Sequence, residues 1–236
     1  MAAPDPRERL ALALDVDDLV VALRFARRLR PWFGVAKVGL ELFGAAGPET
    51  VSALTVEGYR VFLDLKLHDI PTTVRKAATV IGGLGTAYTT VHTQGGADMV
   101  RAAVEGMAAG ASAAGTPPPC VLGVTVLTSE SDAPPDVLAS RAALAAEAGC
   151  CGIVCAAGDL DITRRVAPDL VKVVPGIRPP GAPSDDQARA ATPAAAVAAG
   201  ADILVVGRAV MAAPDPEHVA ARMLDELTRS IAVSRS

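Results

Sequence analysis

The sequence predicts an α/β protein that forms one (β/α)8 barrel, a TIM barrel, over residues 1–236. Apolar strand-like runs alternate with longer helical stretches eight times along the chain. The runs are almost continuously apolar, which is typical of parallel strands whose outer side is covered by helices. The chain length is also close to the usual size of a single barrel of this kind.

The predicted elements follow one another in strict βα order. Strands are expected near 10–16, 35–39, 60–66, 88–93, 120–127, 152–157, 171–177 and 203–210. Helices are expected near 18–30, 47–57, 72–84, 96–110, 136–148, 159–167, 187–199 and 215–231. The first helix follows Asp17, and prolines open the third and last helices. An open, doubly wound sheet is the alternative that the pattern leaves available.

Composition excludes several classes of function. Aromatic residues make up 3% of the chain and the formal net charge is −4, with no basic stripe, so we expect no nucleic-acid partner. No uncharged apolar run reaches the roughly 18–20 residues of a membrane span. The N-terminus lacks the pattern of a signal peptide, and we therefore expect a cytoplasmic protein without a membrane partner.

The four cysteines do not have the paired spacing of a zinc site. Three of them lie in the apolar run CCGIVC, at 150–155, and the fourth is Cys120. We expect all four to be buried, reduced thiols, as is usual in the cytosol.

The stretch LDLKLHDIP, at 63–71, places Asp64, Lys66 and Asp69 at the end of an otherwise apolar strand. Charged side chains are costly to bury unless they are paired. Asp64 and Lys66 are two residues apart and share one face of the strand, while Asp69 breaks that alternation and belongs to the following turn. Barrel enzymes carry their catalytic groups at these strand ends, so the cluster predicts an active site.

The other predicted strand ends also carry polar or titratable residues. Lys37 lies on the strand next to Asp64 and is expected beside it, which gives a row of alternating charges. The remaining residues at strand ends are Asp15, His92, Thr128, Ser129, Gly207 and Arg208.

LDLKLHDIPTTV resembles the signature of the orotidine 5′-phosphate decarboxylase family. The resemblance extends over the whole chain, in the family's order, through KVGLELF (37–43), VHTQGG (91–96), VTVLTS (124–129), VPGIRP (174–179), DDQARAATP (185–193) and VVGRAV (205–210). It implies a (β/α)8 barrel that acts as a homodimer. The implied reaction converts orotidine 5′-monophosphate to uridine 5′-monophosphate and carbon dioxide, with neither metal nor organic cofactor.

The resemblance also implies roles for the charged row. Lys37, Asp64, Lys66 and Asp69 are the expected catalytic residues, and Lys66 stabilises and protonates the carbanion at carbon 6 of the pyrimidine. Asp69 comes from the partner subunit, and Thr73 reaches the ribose from the same partner.

The other implied contacts are with the substrate alone. Asp15 and Lys37 contact the ribose hydroxyls, and Thr128 reads the pyrimidine edge. Gly207 and Arg208 bind the phosphate, and Gln187 bridges phosphate and base from a closing loop at 178–187. No role is assigned to His68, His92 or Arg178.

Three alternatives remain open at this point. A magnesium-dependent 3-keto-gulonate 6-phosphate decarboxylase would need an acidic metal ligand where this chain has Lys37. A non-catalytic nucleotide-phosphate-binding barrel would keep the phosphate site without needing the charged row. A tryptophan synthase-like or ribulose phosphate-binding barrel would share the phosphate end but not LDLKLHDIPTT.

Overall fold

The structure is a computed structural model that describes residues 5–127, 133–179 and 191–233. Eight strands in these residues pair in parallel and in chain order, and the first also pairs with the last, so that the sheet closes into a barrel. The closed barrel is the predicted fold, and it rules out the open doubly wound sheet. The strands are β1 Leu10–Ala13, β2 Val35–Val38, β3 Arg60–Leu67, β4 Tyr88–His92, β5 Cys120–Val124, β6 Gly152–Val154, β7 Val171–Val174 and β8 Ile203–Val206.

Helices follow the strands and cover the outside of the barrel. Within the described ranges they are α1 Leu19–Leu29, α2 Leu40–Ala46, α3 Glu49–Val56, α4 Pro71–Gly82, α5 Gly96–Ala114, α6 Pro135–Glu147, α7 Leu160–Val166, α8 Pro193–Ala199, α9 Arg208–Met211 and α10 Pro216–Val233. No helix among them combines the length and the apolar character that crossing a membrane would require.

The observed boundaries differ from the predicted ones where short helices open directly after strands. β8 ends at Val206 because α9 begins two residues later, inside the predicted strand. α2 was not predicted, and it follows β2 after a single glycine. Asp18, rather than Asp17, caps α1 by accepting a hydrogen bond from the Val21 N–H at 2.8 Å. The first part of the helix predicted at 187–199 lies outside the described residues.

Side chains at alternate positions fill the inside of the barrel. An apolar cluster within it comprises Ala11, Ala13, Val35, Phe62, Tyr88, Leu122, Val173, Ile203 and Val205. The larger apolar core lies between the strands and the helices, and it includes Leu12, Val38 and Leu63. Because strand side chains alternate, the next inward position towards the C-terminal end of each strand falls at the mouth of the barrel.

The expectation for the cysteines was wrong for two of the four. Cys120 and Cys151 form a disulfide, with their Cα atoms 5.3 Å apart, while Cys150 and Cys155 are buried thiols. The pairing is possible because Cys120 begins β5 and Cys151 precedes the adjacent β6, where the Cys151 N–H donates to the Val121 carbonyl. Burial raises the pKa of the Cys150 thiol to about 12, which makes its reactive thiolate form rare at neutral pH.

The disulfide predicts a thiol count for the purified protein. Unfolded in denaturant without reductant, each chain should release two thiols to a colorimetric reagent, because Cys120 and Cys151 remain bonded. Prior treatment with reductant should raise the count to all four cysteines. Four thiols without reductant would contradict the pairing.

Candidate active site

A cavity of about 220 Å³ opens at the C-terminal ends of the strands. Its deeper wall is apolar and includes Ala13, Phe62 and Val205 from the barrel interior. Six of the residues predicted for the site line it, namely Asp15, Lys37, Asp64, Lys66, Gly207 and Arg208. The cavity therefore joins an apolar floor to a charged rim, as small-molecule sites in barrels commonly do.

Strand alternation explains how three of these side chains reach the cavity. Lys37 lies two residues after the inward-facing Val35, and Asp64 lies two residues after Phe62. Asp15 likewise continues the inward row of β1 past Ala13. Each charged residue thus occupies the inward-facing position that follows an apolar one, towards the C-terminal end of its strand.

The charged side chains form a connected row along the cavity rim. Lys66 Nζ donates to Asp64 Oδ2 at 2.8 Å, and Lys37 Nζ lies 3.8 Å from the same oxygen. Lys37 Nζ also donates to Asp15 Oδ1 at 3.0 Å. The order is therefore Asp15, Lys37, Asp64, Lys66, with opposite charges as neighbours throughout.

The middle of this row is the least exposed part. The side chains of Lys37 and Asp64 are 11% and 13% exposed, compared with 33% for Lys66 and 54% for Asp15. Partly desolvated charges attract one another more strongly than charges in water do. The Lys66 ammonium is consequently held by a fixed anion while it still faces the cavity.

Lys66 itself has an unusual backbone conformation. Its φ is 51°, and it is the one non-glycine residue of the described chain with a positive φ. The pairing of β3 with β4 shifts register between Leu63 and Leu67, which places Lys66 in an irregular part of the strand. The Lys66 N–H donates to the Thr90 hydroxyl at 2.9 Å, and this hydroxyl is 3.0 Å from Asp64 Oδ1.

Asp69 and Thr73 are not part of the row within this chain. Both side chains are exposed, and Asp69 makes no ion pair with any residue that the structure describes. Asp69 Oδ1 accepts a hydrogen bond from the Ile70 N–H at the start of α4. The predicted parity break of Asp69 is confirmed, since it lies in the turn rather than along the strand.

Another part of the cavity wall is formed by residues that follow β7 and β8. Gly207 and Arg208 line it, together with Arg178, a buried arginine to which the sequence assigned no role. A Cβ atom at Gly207 would lie 3.3 Å from the Ala13 Cβ, so the glycine lets the backbone approach β1 closely. Two arginines thus line the same cavity as the charged row.

The remaining predicted residues lie beside the cavity or outside the described ranges. His68 and His92 stack with ring centroids 5.4 Å apart, and neither lines the cavity. Thr128, Ser129 and Gln187 fall outside the described residues. Sequence analysis missed Thr90, which stands beside a second threonine in the strand YTTVH and has no spacing that singles it out.

The described side chains offer no ready metal site. No group of three or more His, Cys, Asp or Glu residues in the described ranges is arranged to hold a metal ion. The two carboxylates of the row already have an ammonium ion between them, which lowers their net attraction for a cation.

Comparison with known protein families identifies the barrel more closely. The model of the orotidine 5′-phosphate decarboxylase / HUMPS family matches residues 8–223. Two relatives, both named orotidine 5′-phosphate decarboxylase, are similar along their whole length. The one from Anaeromyxobacter sp. (strain K) is 49% identical over 91% of this chain and 96% of its own length. The one from Thermobifida fusca (strain YX) is 45% identical over 98% of both chains.

Solved structures agree with the family match. The crystal structure of orotidine 5′-phosphate decarboxylase from Lactobacillus acidophilus has a TM-score of 0.78 and 33% identity, covering 93% of this chain and 99% of that one. The corresponding enzyme from Pyrococcus horikoshii OT3 has a TM-score of 0.75 and 27% identity, with the same coverage. With its closed barrel, its charged row and these matches, the chain belongs to the orotidine 5′-phosphate decarboxylase / HUMPS family.

Proposed function

We propose that the chain is an orotidine 5′-phosphate decarboxylase, a carboxy-lyase of pyrimidine nucleotide biosynthesis. It converts orotidine 5′-monophosphate to uridine 5′-monophosphate and carbon dioxide. The observation that carries the proposal is the Lys66 ammonium, which Asp64 holds at 2.8 Å on the rim of the cavity. Relatives with this printed name cover nearly the whole chain, which supports the same assignment.

The chemistry explains why a fixed cation is needed. When the bond from carbon 6 to the carboxylate breaks, its electron pair stays on carbon 6, in the plane of the pyrimidine. That orbital is orthogonal to the ring π system, so the ring carbonyls cannot absorb the charge. Lys66 stabilises the pair electrostatically and then transfers a proton from Nζ to carbon 6. The neutral amine regains its proton from water.

Asp64 keeps this ammonium in place before the reaction. Asp64 contacts Lys66 directly, and Lys37 lies on the other side of Asp64. Because the row is built before substrate arrives, little reorganisation is needed when charge develops on carbon 6.

The substrate contacts follow from position in the cavity and from the family resemblance. Asp15, at the exposed end of the row, and its neighbour Lys37 contact the ribose hydroxyls. Thr128 reads the pyrimidine edge, because a hydroxyl can both donate to and accept from an imide.

The phosphate is bound on the side of β7 and β8. Arg208 offers a two-pronged donor set to phosphate oxygens, and Gly207 allows close backbone approach. Gln187 joins them from the loop after β7, and Arg178, which lines the same side, adds positive charge.

The working unit is a homodimer in which Asp69 and Thr73 enter the partner's site. Both residues are exposed in one chain, and neither reaches the row of its own chain. Apolar side chains lie beside them, since Ile70 is 66% exposed and Val80 on α4 is 69% exposed. These two side chains offer apolar area to be buried against a second copy of the chain.

The rival functions fit the row less well. For a magnesium-dependent decarboxylase of the same family, Lys37 would place an ammonium where the metal must bind. A non-catalytic nucleotide-binding barrel would have no use for a partly buried row of four charges, which is costly to maintain.

We also propose that residues 1–236 form one domain and that neither nucleic acid nor a membrane is a partner. The enzyme is proposed to work in the cytoplasm, without a metal or organic cofactor.

Replacing Lys66 tests the central role. Lys66→Ala should lower kcat by at least about a thousandfold, because it removes both the stabilising charge and the proton donor. Binding of uridine 5′-monophosphate should change little. Arg24→Ala, at an exposed cationic residue on α1, provides the control and should keep full activity. Near-normal turnover by Lys66→Ala would refute the assignment.

Mixed dimers test whether the site is shared between subunits. Asp69→Ala and Lys66→Ala are each expected to be inactive, but a mixed dimer should contain one intact site. Random subunit exchange at equal amounts should therefore restore about a quarter of the normal activity. Lys66→Ala mixed with Asp64→Ala is the control and should recover nothing, because these residues pair within one chain. No recovery with Asp69→Ala, despite demonstrated exchange, would contradict the shared site.

Removal of Arg208 tests the phosphate side. Arg208→Ala should reduce kcat/KM for orotidine 5′-monophosphate by roughly 10- to 100-fold, through loss of charged hydrogen bonds. For orotidine, which lacks the phosphate, kcat/KM should be the same for Arg208→Ala and for the unmodified protein. Equal losses with the two substrates would exclude a phosphate-binding role.

A further inference from the structure

Lys66 is held in a backbone conformation that it would not adopt readily on its own. A φ of 51° places it in the left-handed region, where a non-glycine residue is uncommon and carries strain. Such a conformation persists only where the surroundings fix it. The neighbouring strand must therefore supply contacts that hold this residue.

Thr90 on β4 supplies one of these contacts through a single hydroxyl. Its Oγ1 accepts from the Lys66 N–H at 2.9 Å and lies 3.0 Å from Asp64 Oδ1. Because a carboxylate only accepts, the hydroxyl proton must point to Asp64. The direction of both hydrogen bonds is thus fixed, and one side chain connects the backbone of Lys66 to the carboxylate that pairs with its ammonium.

The geometry at Asp64 shows what this connection does. Thr90 occupies Oδ1, while Oδ2 is the oxygen that contacts Lys66 Nζ at 2.8 Å and lies 3.8 Å from Lys37 Nζ. A carboxylate anchored at one oxygen cannot rotate freely, so its second oxygen stays directed at the two ammonium groups.

The adjacent threonine provides a natural contrast. Thr89 and Thr90 are both fully buried on β4, but they face opposite sides of the sheet. Thr90 continues the inward row of Tyr88, whereas the Thr89 hydroxyl has no hydrogen-bond partner in the part of the chain described. Only one of the two buried hydroxyls therefore has a link to the charged row.

We propose that Thr90 is a positioning residue, which sets the Lys66 ammonium in its catalytic place through the Lys66 backbone and the Asp64 carboxylate. The inference rests on the proposed decarboxylase function. Thr90 does not line the cavity, so it acts through its neighbours and not by contact with substrate.

The test compares three variants for decarboxylation of orotidine 5′-monophosphate, binding of uridine 5′-monophosphate and melting temperature. Thr90→Val keeps the shape and removes the hydroxyl, Thr90→Ser restores a hydroxyl, and Thr89→Val removes the unpartnered one. Thr90→Val should lower kcat by roughly 10- to 100-fold while nucleotide affinity stays within about threefold. Thr90→Ser should recover most of kcat, and Thr89→Val should match the unmodified protein.

The outcomes separate this inference from the proposed function. If the unmodified protein converts substrate and Thr90→Val has the same kcat, Thr90 has no positioning role. A positioning role is equally excluded if Thr90→Ser is as slow as Thr90→Val, or if Thr89→Val loses as much activity. If the folded, unmodified protein does not turn over substrate, the proposed function fails first, and the inference fails with it.

Discussion

One carboxylate oxygen, Asp64 Oδ2, faces two ammonium groups at the mouth of the barrel. Without Asp64, the positive charges of Lys37 and Lys66 would repel each other in a poorly hydrated space. With it, Lys66 can point a full positive charge into the cavity and still be paired. The position of the Lys66 ammonium, which we propose as the reacting cation, therefore depends on this shared anion.

The barrel supplies that arrangement through strand alternation. In β1, β2 and β3 the inward positions are apolar until the C-terminal end, where they become charged, so the row is supported from below by a packed interior. Helices outside the sheet bury the alternate positions and hold the strands in register. β3 departs from this regular pattern at Lys66, the residue that we propose as the reacting cation.

Sequence patterns predicted the barrel and most of the row, because long apolar runs and residue parity are local properties. They could not predict the hydrogen bonds that Thr90 makes to Lys66 and Asp64, since two adjacent threonines in YTTVH differ only in the face they occupy. They also missed the left-handed backbone of Lys66 and the pairing of Cys120 with Cys151, which depend on how neighbouring strands are placed. α2 was not predicted because only one residue, Gly39, separates it from β2.

The most direct test of the proposed mechanism is the loss of ultraviolet absorbance when purified protein converts orotidine 5′-monophosphate, with and without a metal chelator. We expect rapid conversion at the same rate in both conditions, because the Lys66 ammonium supplies the stabilising charge. Conversion abolished by the chelator would show that a metal ion does this work. Absence of conversion by folded protein would contradict the decarboxylase function itself.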